Sequence, residues 1–548
     1  MVNWNKFIPN GNQKTIDHGP SDGSNTSINS NSSTSPLNKT GDTKFHQVEI
    51  DETPEQYIDI SVNLTPEELE KRNNSLSFKI KRFLWDGTGK NPIEQSYLLK
   101  LDFFLLSSSC LGYTAKYLNQ SNITTSYVNG MSEYYNMNKN QYNYMVTMFT
   151  IGYIIFQIPL SILMHRVNAR YYFGFTIMIV SCLTLAMIGV KKDNISSLYA
   201  LRFLIGSAES NYFSGTEYIL GSNYGTNELT KRSAYFSIAA GLAGIITPLL
   251  QQAIIKTFKH SSLEPFQIMF VFDFMISFVI GLYTLIVHPG IPQVNKKDTF
   301  YFTERDVLVG LERRRLLKAQ LNTRQRYTLP AIKKFFNSWH LFVFPILFLC
   351  YNNSCNSSSQ PTFQLFLKLY LKKPSSVYNT WPAISSAIGI GVTIIFSYLN
   401  DFLGGRKNFH FLIAGFIIFI IGCSLLAKWN VPVGFHYFLY VLIAIPPAFM
   451  QSQIFSWINR NPLLVRDDLK RNFVIVVTNT LAYVTSMVSI AVWNTKYQPE
   501  YFIGFTYTAC LSALGLIVTC LVHYLTKKDE QKAKLQDASK ETSSIESI

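Results

Sequence analysis

Apolar residues in this chain gather into blocks about twenty long, set apart by short polar stretches, and a helix of that length crosses the hydrocarbon of a bilayer. The pattern predicts twelve such spans, near 98–120, 141–163, 170–190, 198–220, 233–255, 266–287, 339–366, 378–399, 410–428, 434–457, 472–494 and 501–525. Six precede a long polar connection and six follow it. The halves, 98–287 and 339–525, are nearly equal in length, the outline of a duplicated six-helix unit. The expectation is an all-α membrane protein with twelve transmembrane helices in two pseudo-symmetric six-helix bundles. Its divisions are a disordered cytosolic tail (1–75), a first bundle (76–288), a cytosolic loop with amphipathic helices (289–338), a second bundle (339–526) and a cytosolic C-terminal tail (527–548).

Composition agrees with the pattern. The chain is 47% hydrophobic and 15% charged, where a soluble domain carries about a quarter charged residues. Residues 1–75 are rich in Asn and Ser and bury too little apolar area to fold alone. They contain no signal-peptide core, so the first span is the expected insertion signal and the tail stays in the cytosol. The net charge of +15 raises the question of nucleic acid, but the Lys and Arg residues form no groove-sized cluster. They sit between apolar blocks, as topology determinants do. With the N-terminus inside, the inner loops hold about 21 of them and the outer loops about 10. Both termini are therefore expected in the cytosol of a plasma-membrane protein. Asn122-Ile123-Thr124 would then face outside as a glycosylation acceptor.

The connection contains Thr303-Glu304-Arg305-Asp306, a capping-box-like start, then Val307, Leu308 and Leu311 at helical spacing and Arg313-Arg314-Arg315. A basic amphipathic helix lying on the inner leaflet fits, and a regulatory protein-binding segment is the alternative. The seven cysteines lie in apolar runs without CxxC spacing or histidine partners, so they read as small hydrophobes. No metal or cofactor is expected. There is no phosphate-binding loop, no HExxH run and no nucleophile–base pattern, so neither ATP hydrolysis nor other enzyme chemistry is indicated.

A charge at the bilayer centre costs about 3 kcal/mol on insertion scales, which makes intramembrane ionisable residues functional candidates. In span 4, Arg202, Gly206 and Glu209 fall on one helix face. Glu209, the deeper, suits a proton-coupling carboxylate, and a structural Arg202–Glu209 pair is the alternative. Lys116 in span 1 is the candidate contact for a substrate carboxylate, or else a lysine snorkelling to the outer interface. Span 7 reads Tyr351-Asn352-Asn353-Ser354-Cys355-Asn356-Ser357-Ser358-Ser359-Gln360-Pro361. No lipid-facing surface accepts so many amides and hydroxyls, so they face a cavity or glue helices together, and Pro361 allows a bend. Gln451 and Gln453 in span 10, Asn479 with Tyr483 in span 11, and Asp273 in span 6 are weaker candidates.

Three segments resemble a known family. Ser397-Tyr398-Leu399-Asn400-Asp401-Phe402-Leu403-Gly404-Gly405-Arg406-Lys407 is similar to the loop signature Gly-x-x-x-Asp-x-x-Gly-x-Arg of major facilitator transporters, with Ser397 at the first glycine. Asp401, Gly405 and Arg406 would form a gating latch, or a plain turn. The matching first-half loop keeps only His165-Arg166 and Arg170. Span 4, from Arg202 through Glu209-Ser210 and Phe213-Ser214-Gly215-Thr216 to Ala234, resembles the fungal allantoate-permease branch of anion:cation symporters, with Asn223 where that branch usually has Trp. Gly504-Phe505-Thr506-Tyr507-Thr508-Ala509-Cys510 is similar to the same branch. The branch includes carriers of pantothenate, biotin, nicotinate, allantoate and sulfur compounds. The resemblance implies a secondary importer of a small organic anion, pantothenate first and biotin second, by proton symport and alternating access, acting as a monomer. A non-transporting nutrient sensor, or a carrier of another anion of the branch, is the alternative. This chain has Asn119-Gln120 where the family usually has Asp-Arg, which leaves Lys116 as the cation of span 1 and puts proton coupling there in doubt.

Overall fold

The computed structural model describes residues 75, 77–78, 81, 85 and 87–546, apart from 138, 193, 226–227, 259–260, 292–298, 317–328, 360–361, 404–406, 494–496 and 498–499. The expected 1–75 tail lies almost wholly outside these residues. In hydrocarbon every backbone polar group must bond within its own segment, and the described spans are helices throughout. Eight of them are long and apolar enough to cross a bilayer on composition alone: Tyr144–Arg166, Ala169–Gly189, Leu229–Thr257, Pro265–Val287, Ala383–Asn400, Asn408–Ala427, Val433–Arg460 and Phe502–Gln536. They occupy the places of spans 2, 3, 5, 6, 8, 9, 10 and 12.

The other four places are also filled by helices, less apolar or interrupted. Span 1 is one helical run from Pro92 to Tyr134, α-helical over Ser107–Ser126 and π-helical over Asp102–Leu106 and Tyr127–Met131. Span 4 is Ile195–Glu209 and Tyr212–Asn223, span 7 is His340–Ser359, and span 11 is Asp468–Val492. These four carry most of the candidate residues. A helix that lines a polar interior has an incomplete apolar surface, so its function lowers its hydropathy.

Local chemistry sets the ends and the breaks. Asn168 caps span 3 by accepting from the Arg170 amide at 3.2 Å, which lets spans 2 and 3 join through a tight turn. Glu264 and Gln267 form a reciprocal capping box at the start of span 6, with Pro265 as its first residue. Span 4 breaks at Ser210-Asn211. The Ser210 amide reaches only three residues back, to the Ser207 carbonyl, and the Ser210 hydroxyl takes the same oxygen at 2.9 Å. Span 10 breaks at Ala444, where Pro446 and Pro447 remove two successive donors. The Pro447 carbonyl also accepts from the Tyr351 hydroxyl of span 7 at 2.8 Å, which ties the start of this segment to span 7. Spans 4 and 10 hold matching positions in the two halves, and interruptions so placed mark the solute site of many carriers.

Two expectations change. The connection does not lie on a leaflet as a free amphipathic helix. Its helix Glu304–Leu316, the linker helix, buries Arg313 and Arg314 against the ends of the spans, at the face called here the linker face. The C-terminal tail is not separate either, because span 12 continues as one helix, Phe502–Glu546. Its outer part is rich in Lys, Gln, Glu and Ala, all good helix formers. Asp529 fastens it, accepting from Trp339 Nε1 at 3.2 Å and Asn461 Nδ2 at 3.1 Å.

Spans 2 and 4 touch backbone to backbone through Gly152 and Gly206. A Cβ on Gly206 would strike the Phe149 carbonyl, and one on Gly152 the Phe203 carbonyl. Small residues allow such approach in membranes. Gly206→Ala is expected to lower stability by about 1–3 kcal/mol, the usual effect of overpacking. Gly189→Ala, where a Cβ meets nothing within 4 Å, is the control. Thermal unfolding of the two purified variants in detergent measures the difference. Equal melting temperatures would show that the seam yields freely.

Candidate functional site

Lys116 is buried, at 4% exposure, in the middle of the long first span. The helix continues eighteen residues beyond it to Tyr134, so snorkelling to an interface does not describe it. Its ammonium donates to the Tyr153 hydroxyl of span 2 at 3.3 Å and lies 4.8, 5.9 and 6.0 Å from the ring centroids of Tyr153, Tyr113 and Tyr117. No carboxylate stands within ion-pair distance of it among the described residues. The Tyr153 hydroxyl also accepts from Asn479 Nδ2 of span 11 at 3.0 Å, and its ring packs on Tyr483 with centroids 4.1 Å apart. Gln451 of span 10 donates to the Tyr113 hydroxyl at 3.5 Å. Lys116, Asn479 and Gln451, named from sequence, thus meet in one buried cluster at the contact of the two halves, called here the tyrosine chamber.

The walls of that chamber are tyrosines that the sequence reading missed, except Tyr483. Tyr113 and Tyr117 come from span 1, Tyr153 from span 2, Tyr351 from span 7 and Tyr483 from span 11. The Tyr153 oxygen accepts from Lys116 and Asn479, and its hydroxyl also meets that of Tyr483. The remaining ammonium protons of Lys116 are donors suited to a carboxylate, between ring faces suited to an apolar body.

Glu209 ends the first segment of broken span 4. It is buried, and neither carboxylate oxygen has a hydrogen-bond partner. Arg202 makes no ion pair with it. The Arg202 guanidinium lies instead over the Phe149 ring, 4.7 Å from the centroid. Lys116 and Arg202 are the cations whose fields reach Glu209, and Asp273 is the carboxylate. Asp273 is not alone: Asn122 Nδ2 donates to it at 3.1 Å and Ser277 at 3.2 Å. Asn122 is therefore a buried tie between spans 1 and 6. It is not an outer-loop glycosylation acceptor.

The remaining candidates divide. Asn119 turns to span 3, where Thr184 donates to its oxygen at 2.6 Å, so it joins two helices of the first half. Gln120 is half-buried, its oxygen unpartnered. In span 7, Asn352 donates to the Ala482 carbonyl of span 11 at 3.4 Å, Asn353 to the Leu349 carbonyl at 3.0 Å, and Ser354 pairs with Ser512 at 2.9 Å. Much of this polar run is helix glue. Asn356, half-buried with an unpartnered amide nitrogen, is not part of that glue. Gln360, Gly405, Arg406 and the side chain of Asp401 lie outside the described residues. Beside them, Asn400 donates to Gln453 at 2.7 Å and to Asn408 at 2.6 Å, fixing the turn between spans 8 and 9.

Residues 109–490 match the profile of the Major Facilitator Superfamily. The chain belongs to that superfamily. It is 30% identical over 456 residues to the pantothenate transporter liz1 of Schizosaccharomyces pombe, covering 82% of this chain and 86% of that one. It is 26% identical over 484 residues to the pantothenate transporter FEN2 of Saccharomyces cerevisiae, covering 86% and 90%. Among solved structures, the proton:xylose symporter XylE has the same fold, with a TM-score of 0.59 at 11% identity, covering 79% of this chain and 96% of that one. This major facilitator protein is a secondary transporter and not an enzyme.

At the linker face the two halves of the major facilitator fold are tied shut. Arg471 of span 11 donates to Ser222 Oγ at 2.7 Å and to the Gly221 carbonyl at 3.3 Å, both of span 4. Asn472 donates to Ser161 at 2.9 Å and meets His165 Nε2 at 2.8 Å, both of span 2. Thr230 and Ser456 pair at 2.8 Å across spans 5 and 10. The linker helix completes the closure. Arg313 pairs with Glu94 and with Glu228, the latter at 2.7 Å, both of the first half. The next residue, Arg314, is 2% exposed and pairs with Asp468 of the second half at 2.6 Å. Asp468 also pairs with Arg471 at 2.9 Å. Lys100 pairs with Asp306 at 2.6 Å.

Burial alone would raise the Glu228 carboxyl, but Arg313, Lys90 and Arg232 beside it hold it well below the usual carboxylate range. A carboxyl so lowered contributes its stability above its ordinary value near 4.5 and loses it only as pH falls below that. The Arg313 clamp is therefore fully formed at neutral pH.

Removing one partner of a buried ion pair costs about 3–5 kcal/mol, and here part of that cost falls on the closed arrangement alone. Asp468→Asn is expected to raise the linker-open population at least about tenfold, which corresponds to about 1.4 kcal/mol. A Ser161→Cys reporter at the closure, in a chain whose native cysteines are replaced, measures it by maleimide labelling from the linker face, with Ser161→Cys alone as the reference. Unchanged labelling would mean that the arginines hold the halves without Asp468.

Proposed function

We propose that this protein imports a small organic anion across the plasma membrane by proton symport, its two bundles exposing the tyrosine chamber alternately to either side. The observation that carries the reading is Lys116: a buried ammonium with no carboxylate partner among the described residues, set among the rings of Tyr113, Tyr117 and Tyr153, with Asn479 and Tyr483 of the second half against Tyr153. A solute carboxylate completes that charge pair in a low-dielectric site, and the rings receive its apolar part. Glu209, buried and unpartnered nearby, carries the proton: neutral in one state, charged in another. Asn119 and Gln120 cannot titrate, so coupling in this chain rests on span 4. Pantothenate is the first candidate substrate, supported by the two pantothenate transporters to which the chain is similar. Biotin is the second. The linker face is the cytosolic face and both termini lie there, as the excess of Lys and Arg in those loops favours.

Uptake of labelled pantothenate and biotin by yeast lacking its own carriers tests the substrate. Lys116→Gln is expected to raise the half-saturation concentration at least about tenfold, a loss of about 1.4 kcal/mol, and Lys116→Arg to restore part of it. An unchanged half-saturation in Lys116→Gln would move the anion contact to another helix. Glu209→Gln fixes the neutral form and is expected to abolish uphill accumulation, while exchange, which moves no net proton, continues. Should Glu209→Gln still concentrate the solute, the proton is carried elsewhere.

A further inference from the structure

Two turns beyond the break in span 4 lies a second buried carboxylate, Glu217, fully enclosed. Its Oε2 accepts from the Ser233 hydroxyl of span 5 at 2.9 Å, and its Oε1 has no partner. Among the described residues no cation pairs with it. The charged and titratable groups of the neighbouring elements are engaged elsewhere: His165 and Arg471 face the Tyr218 ring, at 5.1 and 5.3 Å, and Lys231 of span 5 lies 4.7 Å from the Tyr398 ring centroid. From span 10, Asn459 donates to the Glu217 backbone carbonyl at 3.3 Å and packs against Gly221. The Glu217 backbone thus lies at the seam between spans 4 and 10, while its carboxylate turns to span 5, on the linker side of Glu209.

Along span 4, between the positions of the two carboxylates, lie buried polar side chains. Gln157 Nε2 of span 2 donates to Ser214 Oγ at 3.3 Å, and Ser214 Oγ donates to Asn211 Oδ1 at 3.1 Å. Ser210, whose hydroxyl can both give and take a proton, stands next to Glu209 at the break. The oxygen of Gln157 is buried without a partner, which suits it to hold a water. Eight residues, across the break at Ser210-Asn211, separate the two along span 4, about 12 Å at helical rise, too far for direct transfer and within reach of a short file of water and hydroxyls.

We propose that Glu217 is a second proton site, which receives the proton from Glu209 and releases it to the linker face. The proposal rests on the proton-symport reading of Glu209. The Glu209 carboxyl gives up its O–H proton and becomes a carboxylate, the hydroxyl and water file passes one proton along, and the Glu217 carboxylate becomes the neutral acid. Separation of span 10 from span 4 opens the Asn459 seam and lets water take that proton, leaving Glu217 charged again. The closed seam thus keeps the proton from leaking while the solute is still held.

The test is uptake into proteoliposomes of uniform orientation, with the pH on each side set separately and labelled pantothenate as the probe. Wild-type uptake is expected to quicken as the pH at the linker side rises. Glu217→Gln is expected to flatten that dependence to less than twofold while keeping the dependence on pH at the opposite side. Glu217→Asp restores part of it, and Ser233→Ala, which removes the one hydrogen bond on the carboxylate, moves its midpoint. If Glu217→Gln folds poorly, the Asp and Ala variants carry the test alone. A wild-type linker-side pH profile in all these variants would overturn the assignment and leave the symport reading standing. A wild-type protein indifferent to pH on both sides would overturn the symport reading and this assignment together.

Discussion

The closure at the linker face centres on one carboxylate shared by two buried arginines. Asp468 lies between Arg314 of the linker helix and Arg471 of its own span, and Arg471 in turn reaches across to Ser222 and Gly221 of the first half. Three charges removed from water are tolerated only while each keeps its partners. The linker helix cannot drift from the bundles, nor the bundles from each other, without leaving at least one charge uncompensated. Neighbouring Arg313 applies the same constraint to Glu94 and Glu228. Arg313 grips the first half while Arg314 bridges Asp468 of the second half and the Ser222 carbonyl of the first, so the linker acts as a strut in the closed arrangement as well as a tether.

The chamber above this closure has the opposite character. Its charges are few and incompletely paired: Lys116 bonded to a phenol, and Glu209 bonded to nothing. Such deficits are costly in a membrane interior and persist where a ligand or proton supplies what is missing. The two regions are joined by span 4, whose break at Ser210-Asn211 separates a segment that serves the chamber from one that serves the seal.

Much of this was legible in the sequence because bilayer physics is one-dimensional. Block length gave the spans, and the structure ends most of them within a few residues of the expected limits. The residues that stand out singly, Lys116, Glu209 and Asn479, were also legible, because a polar side chain in an apolar run is conspicuous. Convergence was not. Tyrosine is compatible with lipid, packing or a cavity, so Tyr113, Tyr117, Tyr153 and Tyr351 carry no signal until three helices bring them together. Arg313 and Arg314 were misread for a related reason. A basic amphipathic helix looks the same in sequence whether it meets lipid headgroups or carboxylates, and Glu94, Glu228 and Asp468 are distant in the chain. Asn122 was assigned to an outer loop because the first span was expected to end near 120. The polar residues that hid its continuation are the ones that bind Asp273 and Thr184.

The last helix has a mechanical consequence. Phe502–Glu546 spans 45 residues, about 67 Å at 1.5 Å per residue, roughly twice the hydrocarbon thickness. Its outer half is a rigid rod rooted in the second bundle, and Asp529 pins it to the start of span 7 and to Asn461 after span 10. A rod fixed near its middle turns small rotations at its root into long arcs at its tip. The far end of this helix is where the carrier's internal motion has its greatest leverage on whatever surrounds it.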